Sequence, residues 1–187
     1  GSFDKTVEVA KQYDVKIING KENRGKGDAL KKGFLNCKGD LVVTMDADGS
    51  HRPEDIPLLV TTVLKDDIDA VIGSRFANGI EKNLTSRLHI VGNKIINTII
   101  FLLTGRHVSD SQSGFRVYKR DAVKRLSLSS SRYEIESELT VKMLRNGFKI
   151  KEIPIKSLPR GNGRSKINEI EDGIRILKSI LKATFCN

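Results

Sequence analysis

Leu41-Val42-Val43-Thr44-Met45-Asp46-Ala47-Asp48-Gly49-Ser50-His51 is the stretch on which the reading of the chain turns. Leu41 to Met45 is a short apolar run rich in β-branched residues, the pattern of a strand buried on both faces. It stops at two carboxylates, a glycine and a serine. In open α/β sheets, ligands bind just outside the carboxyl ends of the strands, where these groups fall. Residues i and i+2 of an extended backbone point the same way, so Asp46 and Asp48 can converge on one cation. Hard oxygen ligands suit Mg²⁺ or Mn²⁺ that also holds substrate phosphates. The same run also serves as an acidic turn capping the next helix. A calcium loop fits poorly, because His51 stands where that loop needs glycine.

The composition narrows the class. The 187 residues suit one domain with a real core, and 38% hydrophobic with 30% charged residues is ordinary for a globular chain. Thirty-three Lys and Arg against 23 Asp and Glu give a net charge of +10, so the surface attracts anions such as nucleotides, lipid headgroups or nucleic acid. With 5% aromatics and no Trp, the stacking that single-stranded nucleic acid requires is scarce, and no nucleic-acid partner is expected. Cys37 and Cys186 form no metal or disulfide pattern, which favours a reducing compartment. The greasiest stretch, Leu88 to Leu103, is broken by Gly92, Asn93, Lys94 and Asn97, and falls short of the ~20 apolar residues of a membrane span.

Along the chain, Val7, Ala10 and Tyr13 give helical spacing over Phe3–Tyr13, with Asp4 or Ser2 as cap, and Val15–Ile18 reads as a short strand. The loop Asn23-Arg24-Gly25-Lys26-Gly27 then leads into a helix with Leu30, Phe34 and Cys37 on one face, bringing Lys26 and backbone amides near a phosphate. Gly20 to Lys26 has the spacing of a P-loop, but Gly27 stands where that loop needs Ser or Thr for Mg²⁺. Pro53 opens a helix to about Leu64, with Glu54 and Asp55 at its positive end. Asp69–Ser74 is a second buried strand, with Arg75 just past its carboxyl end, placed either as an exposed loop cation or to meet an anion near Asp46. Leu88–Leu103 forms a one-sidedly apolar helix preceded by Arg87, facing the core or a lipid surface. Ser109 to Arg116 (S-D-S-Q-S-G-F-R) is dense in phosphate-, sugar- and metal-bonding side chains, ahead of a brief strand at Val117-Tyr118 and a helix from Arg120. Tyr133-Glu134-Ile135-Glu136-Ser137-Glu138 opens a helix with Ile135, Leu139 and Met143 inward, its acids balancing the helix dipole. A strand over Phe148–Ile155 precedes a basic glycine loop, Pro159 to Lys166, suited to wrapping a diphosphate. The closing helix, Glu169–Phe185, carries Ile170, Ile174, Leu177 and Leu181 on one stripe.

Six motifs in order, N-R-G-K-G-D-A-L at 23–30, T-M-D-A-D-G at 44–49, G-S-R-F at 73–76, S-D-S-Q-S-G-F-R at 109–116, Y-E-I-E-S-E at 133–138 and R-G-N-G-R-S-K at 160–166, span essentially the whole chain. Together they resemble the family 2 glycosyltransferases of the GT-A fold, most closely the dolichyl-phosphate mannose and glucose synthases. The resemblance implies one α/β domain over 1–187, with a Rossmann-like, mostly parallel sheet flanked by helices. It implies Asp46 and Asp48 as metal and donor ligands, with Ser50 replacing a glutamine found in many relatives and so contributing a weaker or water-mediated contact. Arg24, Gly25 and Lys26 fall at the donor phosphates. Arg75 and Arg87 face acceptor or donor phosphates, and Arg160, Ser165 and Lys166 close over the diphosphate. Asp110, Gln112 and Arg116 line the sugar or acceptor pocket. The family's opening strand (P-x-Y-N-E) and the following D-D-G-S are missing, Gly1-Ser2 resembling the end of that segment, so the base pocket is expected to be absent.

The chemistry implied is inverting transfer of mannose or glucose from a nucleotide donor, such as GDP-mannose or UDP-glucose, to polyprenyl (dolichyl) phosphate at the cytoplasmic face of a membrane. The leaving diphosphate needs Mg²⁺ or Mn²⁺ and cations around it. A phosphate acceptor is already largely anionic near neutral pH and needs no strong base. A sugar-hydroxyl acceptor in polysaccharide synthesis would enlist Asp110 or Glu134 as the base. Outside the family, a P-loop NTPase and an inert nucleotide-binding fragment stay open.

Overall fold

The computed structural model describes residues 1–65, 67–77, 87–159 and 169–185. In chain order these form α1 (Thr6–Ala10), α2 (Lys26–Asn36), β1 (Leu41–Thr44), a 3₁₀ turn (Pro53–Asp55) running into α3 (Ile56–Lys65), β2 (Ala70–Ser74), α4 (Arg87–Thr104), β3 (Arg116–Lys119), α5 (Arg120–Lys124), α6 (Ile135–Arg145), β4 (Ile150–Pro154) and α7 (Glu169–Phe185). The alternation of buried strands with amphipathic helices produces a layered α/β domain.

The four strands form one sheet in the order β1-β3-β2-β4. β2 and β4 pair in parallel, while β3 runs antiparallel to both β1 and β2, so three strands share a direction and β3 opposes them. Alternate side chains of the sheet serve opposite faces. Ala70 and Tyr118 join Phe34, Ile135, Leu139 and Met143 under α2, α5 and α6. Val71 and Val117 join Leu59, Val63 and Phe115 under α3. A third cluster, Ile96, Ile100, Val141, Ile176 and Ile180, ties α4 and α7 to the back of α6.

Two expectations fail, each for a physical reason. Val15–Ile18 is not a strand: no ladder partner reaches it, and Val15 N instead donates to Tyr13 O at 2.8 Å in a turn. α1 is correspondingly short, Asp4 accepting from Thr6 N as its cap. β1 is not buried on both faces. It is outermost in the sheet, with Val43 38% and Met45 41% exposed, because among the described residues only β3 pairs with it. In α7 the stripe noted in the sequence is exposed at Ile174 and Leu181, while Ile176, Ile180 and Ala183 are buried. The helix carries two apolar stripes, and packing on α4 and α6 chooses the other one.

Candidate active site

The register gathers the motifs at one end of the sheet. Thr44 of β1 and Ile72 of β2 both lie opposite Arg116, the first residue of β3. The segments leaving β1 and β2 and the loop entering β3 therefore meet there. Thr44 Oγ1 donates to Gly114 O at 2.9 Å and Gly73 N to Phe115 O at 2.9 Å, holding the loop against both strand ends.

Lys26 enters this place from the first turn of α2. Gly25, with φ of 104°, ends the preceding loop, and a Cβ there or on Gly27 would lie 2.5 and 2.7 Å from the carbonyls of Ser131 and Ser130. Only glycines let the helix start so close to that turn, and Asp28 N then donates to Ser131 O at 3.1 Å. The Lys26 ammonium comes 2.6 Å from Asp46 Oδ1 and 2.7 Å from Glu136 Oε1. Burial alone would discharge the lysine, but the two carboxylates outweigh it and hold its pKa above the ordinary value. Burial also pushes Glu136 up while Lys26 pulls it down; with a charged ammonium at 2.7 Å, the carboxylate is the form that fits the contact. Gly114 lies against the same pair, where a Cβ would fall 2.6 Å from Lys26 Nζ and 2.7 Å from Asp46 Oδ2.

Asp46 is fixed from behind. Its N–H donates to His51 Nδ1 at 3.2 Å, and the His51 ring stacks on Phe115 at 5.2 Å between centroids. Burial lowers the pKa of His51, so the neutral ring that accepts this hydrogen bond is favoured. Asp48 Oδ1 accepts from Ser50 N at 3.0 Å and from Ser50 Oγ at 2.5 Å, so the serine braces the second carboxylate.

Asp46 and Asp48 fit a divalent cation bound with substrate phosphates. Asp46 is partly exposed and already attracts a cation in Lys26, and Gly114 gives that pair the room it occupies. Among the described residues no group of three His, Cys, Asp or Glu side chains converges, so phosphate oxygens and water would complete the shell.

Asp110 is fully buried and meets Arg75 with both oxygens: Arg75 Nε donates to Oδ2 at 2.7 Å and a terminal N–H to Oδ1 at 2.8 Å, while Arg75 N adds 3.0 Å to Oδ2. Burial works against the Arg75 charge, and Asp110 more than restores it. The loop around Asp110 is held on several sides. Asn93 and Asn97 of α4 donate to Ser109 O at 3.0 and 2.7 Å, Ser113 Oγ donates to Gly73 O at 2.6 Å, and Gln112 donates to Ser137 Oγ. Arg116 lies beneath the loop, buried, its donors on Ser113 O, Ser111 O, Glu136 O and Thr140 Oγ1. Its place is to brace the loop rather than to face a ligand. Glu134 Oε1 accepts from the backbone N–H groups of Ser131 and Arg132 at 3.1 and 3.2 Å, closing the turn that leads into α6.

Arg24 and Gly25 line a cavity of about 630 Å³ that runs from Lys26 past Lys32, Arg132 and Tyr133. Arg87 opens α4, its side chain lying outside the described residues, as do Arg160, Ser165 and Lys166. The P-loop reading loses its strand, since among the described residues none precedes α2.

The sequence reading missed Glu136, His51, Asn93, Asn97 and Glu152. Glu136 had a signal: it follows Ile135 by about 100° around the helix, at the border of the inward face. Asn93, Asn97 and Glu152 act through contacts 12 to 43 residues away in sequence, and His51 stacks on Phe115 from a different motif.

A family model described as Glycosyl transferase family 2 matches residues 1–127. The chain belongs to glycosyl transferase family 2. It is 37% identical over 99% of its length to an uncharacterised protein of Methanocaldococcus jannaschii, covering 79% of that protein. It is 35% identical over 97% of its length to the UDP-N-acetylglucosamine–dolichyl-phosphate N-acetylglucosaminyltransferase of Methanococcus voltae, covering 81% of it. Other relatives are named dolichol-phosphate mannosyltransferase and dolichyl-phosphate β-glucosyltransferase, and the chain spans about half their length, 47% and 51%. Among solved structures, the glucosyl-3-phosphoglycerate synthase of Mycobacterium tuberculosis with Mn²⁺, UDP and glucosyl-3-phosphoglycerate superposes with a TM-score of 0.73 at 20% identity, over 98% of this chain and 66% of that one. That likeness establishes the fold: a partial GT-A core, as the motif order implied.

Proposed function

We propose that this glycosyltransferase moves a hexose, mannose or glucose, with inversion from a nucleotide-sugar donor to polyprenyl (dolichyl) phosphate, at the cytoplasmic face of a membrane. The observation that carries the choice of acceptor is the engagement of both candidate bases. Asp110 is buried with both oxygens on Arg75, and Glu134 Oε1 accepts from the N–H groups of Ser131 and Arg132. Asp110 is thereby closed to the proton of a sugar hydroxyl, and Glu134 is tied to a backbone turn through one of its oxygens. A phosphate monoester brings an oxygen that is already largely anionic near neutral pH and needs no such base. The M. voltae relative is itself named for a dolichyl-phosphate acceptor.

In this reading, the acceptor phosphate oxygen attacks the anomeric carbon, the bond to the donor diphosphate breaks, and the nucleoside diphosphate leaves with the electron pair. Asp46 and Asp48 hold Mg²⁺ or Mn²⁺, which would neutralise the charge developing on the leaving diphosphate. Lys26 adds a charged donor beside Asp46, in the donor-phosphate role, together with Arg24 and Gly25. Arg75, aimed by Asp110, offers its remaining N–H groups to a phosphate. Gln112 lies beside Ser137, at the wall of the same site. For Arg87, Arg160, Ser165 and Lys166 the phosphate roles rest on the motifs alone. Transfer of labelled hexose from GDP-mannose and UDP-glucose to polyprenyl phosphate, compared with transfer to soluble sugars, tests the proposal. Product found only on sugar hydroxyls would overturn it.

A further inference from the structure

Glu152 lies within β4, opposite Ile72 of β2, and is partly buried. Its carboxylate reaches the loop that enters β3. Oε2 accepts from Ser109 N at 2.7 Å; Oε1 accepts from Ser109 Oγ at 2.9 Å and from Asp110 N at 2.9 Å. Ser109 Oγ also meets Ser74 Oγ at 2.7 Å, one residue before Arg75. Asp110 in turn meets Arg75 with both of its oxygens. An unbroken line of hydrogen bonds, none longer than 3.0 Å, therefore runs from β4 through one peptide unit to the guanidinium.

A carboxylate is the group that this position requires. Three donors converge on two acceptor oxygens, and a glutamine would offer one oxygen and turn an NH₂ against a backbone N–H. A buried Asp110 swings its whole carboxylate when its own peptide tilts, because the side chain is short. The orientation of Arg75 thus depends on a residue that touches neither the arginine nor the cleft.

We infer that Glu152 is a positioning residue for Arg75: it fixes the Ser109–Asp110 peptide so that Asp110 holds the guanidinium in one orientation, with its other N–H groups left for a phosphate anion. The phosphate part rests on the function proposed above; the positioning part does not. Glu152 reaches Asp110 through backbone, so its effect on ligand binding should pass through Arg75 alone.

Two measurements on the chain separate these parts. In ¹⁵N-labelled protein, Glu152→Gln should speed hydrogen exchange at Arg75 Nε–H about tenfold, the effect of weakening a hydrogen bond to a charged group. Glu152→Asp, which keeps the charge but shortens the reach, should act in the same direction if the glutamine variant fails to fold. Unchanged exchange in a folded variant overturns the inference. Affinities for farnesyl phosphate and for Mn²⁺-pyrophosphate form the second measurement. Glu152→Gln should weaken whichever probe Arg75 binds, assigning it to acceptor or donor, and should add nothing in an Arg75→Ala background. Additive losses would mean that Glu152 acts on the fold at large and would overturn the inference. Glu152-dependent exchange in a protein that binds neither probe would uphold the positioning and overturn the phosphate reading.

Discussion

Arg75 and Asp110 form a two-pronged ion pair in which the carboxylate is fully buried and the guanidinium is 23% exposed. The pair removes Asp110 from the list of proton acceptors and makes it the orienter of a cation. Taking away one partner of such a pair leaves a buried charge uncompensated. We expect Asp110→Ala to lower unfolding stability by about 3 kcal/mol, read by urea denaturation, and to weaken phosphate binding along with it. A variant as stable as the parent would show that the pair does not hold this end of the sheet.

The metal assignment makes a different demand. Asp48→Asn keeps the oxygen that accepts from Ser50 N and Ser50 Oγ, so the local turn should survive. It removes one ligand charge, and turnover in the presence of Mn²⁺ should be abolished while the circular dichroism spectrum is unchanged. Normal turnover by this variant, or by the parent protein in excess chelator, would refute the role of Asp48.

Glu138 carries the acid sensitivity of the fold. Burial would raise its pKa, but the N–H groups of Ser129 and Ser130, the Ser129 and Ser130 hydroxyls and Lys142 outweigh burial and hold it below the ordinary 4.5. A carboxylate with a depressed folded pKa adds stability that is present above the unfolded value and lost as pH falls through the folded one. Glu138→Gln should therefore cost about 1–3 kcal/mol at pH 7, and the gap to the parent should close as the pH drops below 4.5. A gap independent of pH would mean that packing, not charge, explains the loss.

Much of this was legible in the sequence, for reasons that differ between elements. α6 shows its inward face at Ile135, Leu139 and Met143 because local spacing and tertiary burial agree there. Asp46 and Asp48 are legible as a site because strand ends in α/β sheets have fixed chemistry. The buried face of α7 was not legible: two apolar stripes compete, and the choice between Ile174 and Ile176 is made by α4 and α6, which spacing within α7 does not encode. Arg116 and Asp110 read as ligand-facing because polar residues in a glycine-containing loop look alike whether they face a cleft or each other. Their partners Thr140, Glu136 and Arg75 lie 20 or more residues away.

The outer surface of α4 and α7 makes the membrane part of the proposal testable. Leu88, Val91, Ile95 and Leu102 of α4 and Ile174, Leu181 and Phe185 of α7 are exposed, on two helices packed side by side. Among the described residues no helix is long and apolar enough to cross a bilayer. With the net charge of +10, we expect this surface to lie on anionic lipid, each nearby Lys or Arg contributing about 1 kcal/mol. Binding to vesicles containing phosphatidylserine should fall steeply between low and physiological salt, and Leu102→Asp should weaken it. Salt-independent binding, or none, would remove the membrane surface from the proposal.

The outer edge of β1 sets the last expectation. Leu41–Thr44 pairs with β3 on one side, and the described residues place no strand on the other. Unpaired N–H and C=O groups along an apolar strand recruit other strands, and charged side chains on an edge are the usual defence against this. β1 has no such charge between Leu41 and Met45, and Val43 and Met45 are exposed. These 187 residues alone should therefore self-associate at micromolar concentration. Val43→Lys places a charge on that edge without touching Asp46 or Asp48, and should shift the sedimentation profile toward monomer. A parent chain that is monomeric would show that this edge is covered; a Val43→Lys chain that associates as strongly as the parent would move the association to another surface, with the apolar face of α4 and α7 the next to test.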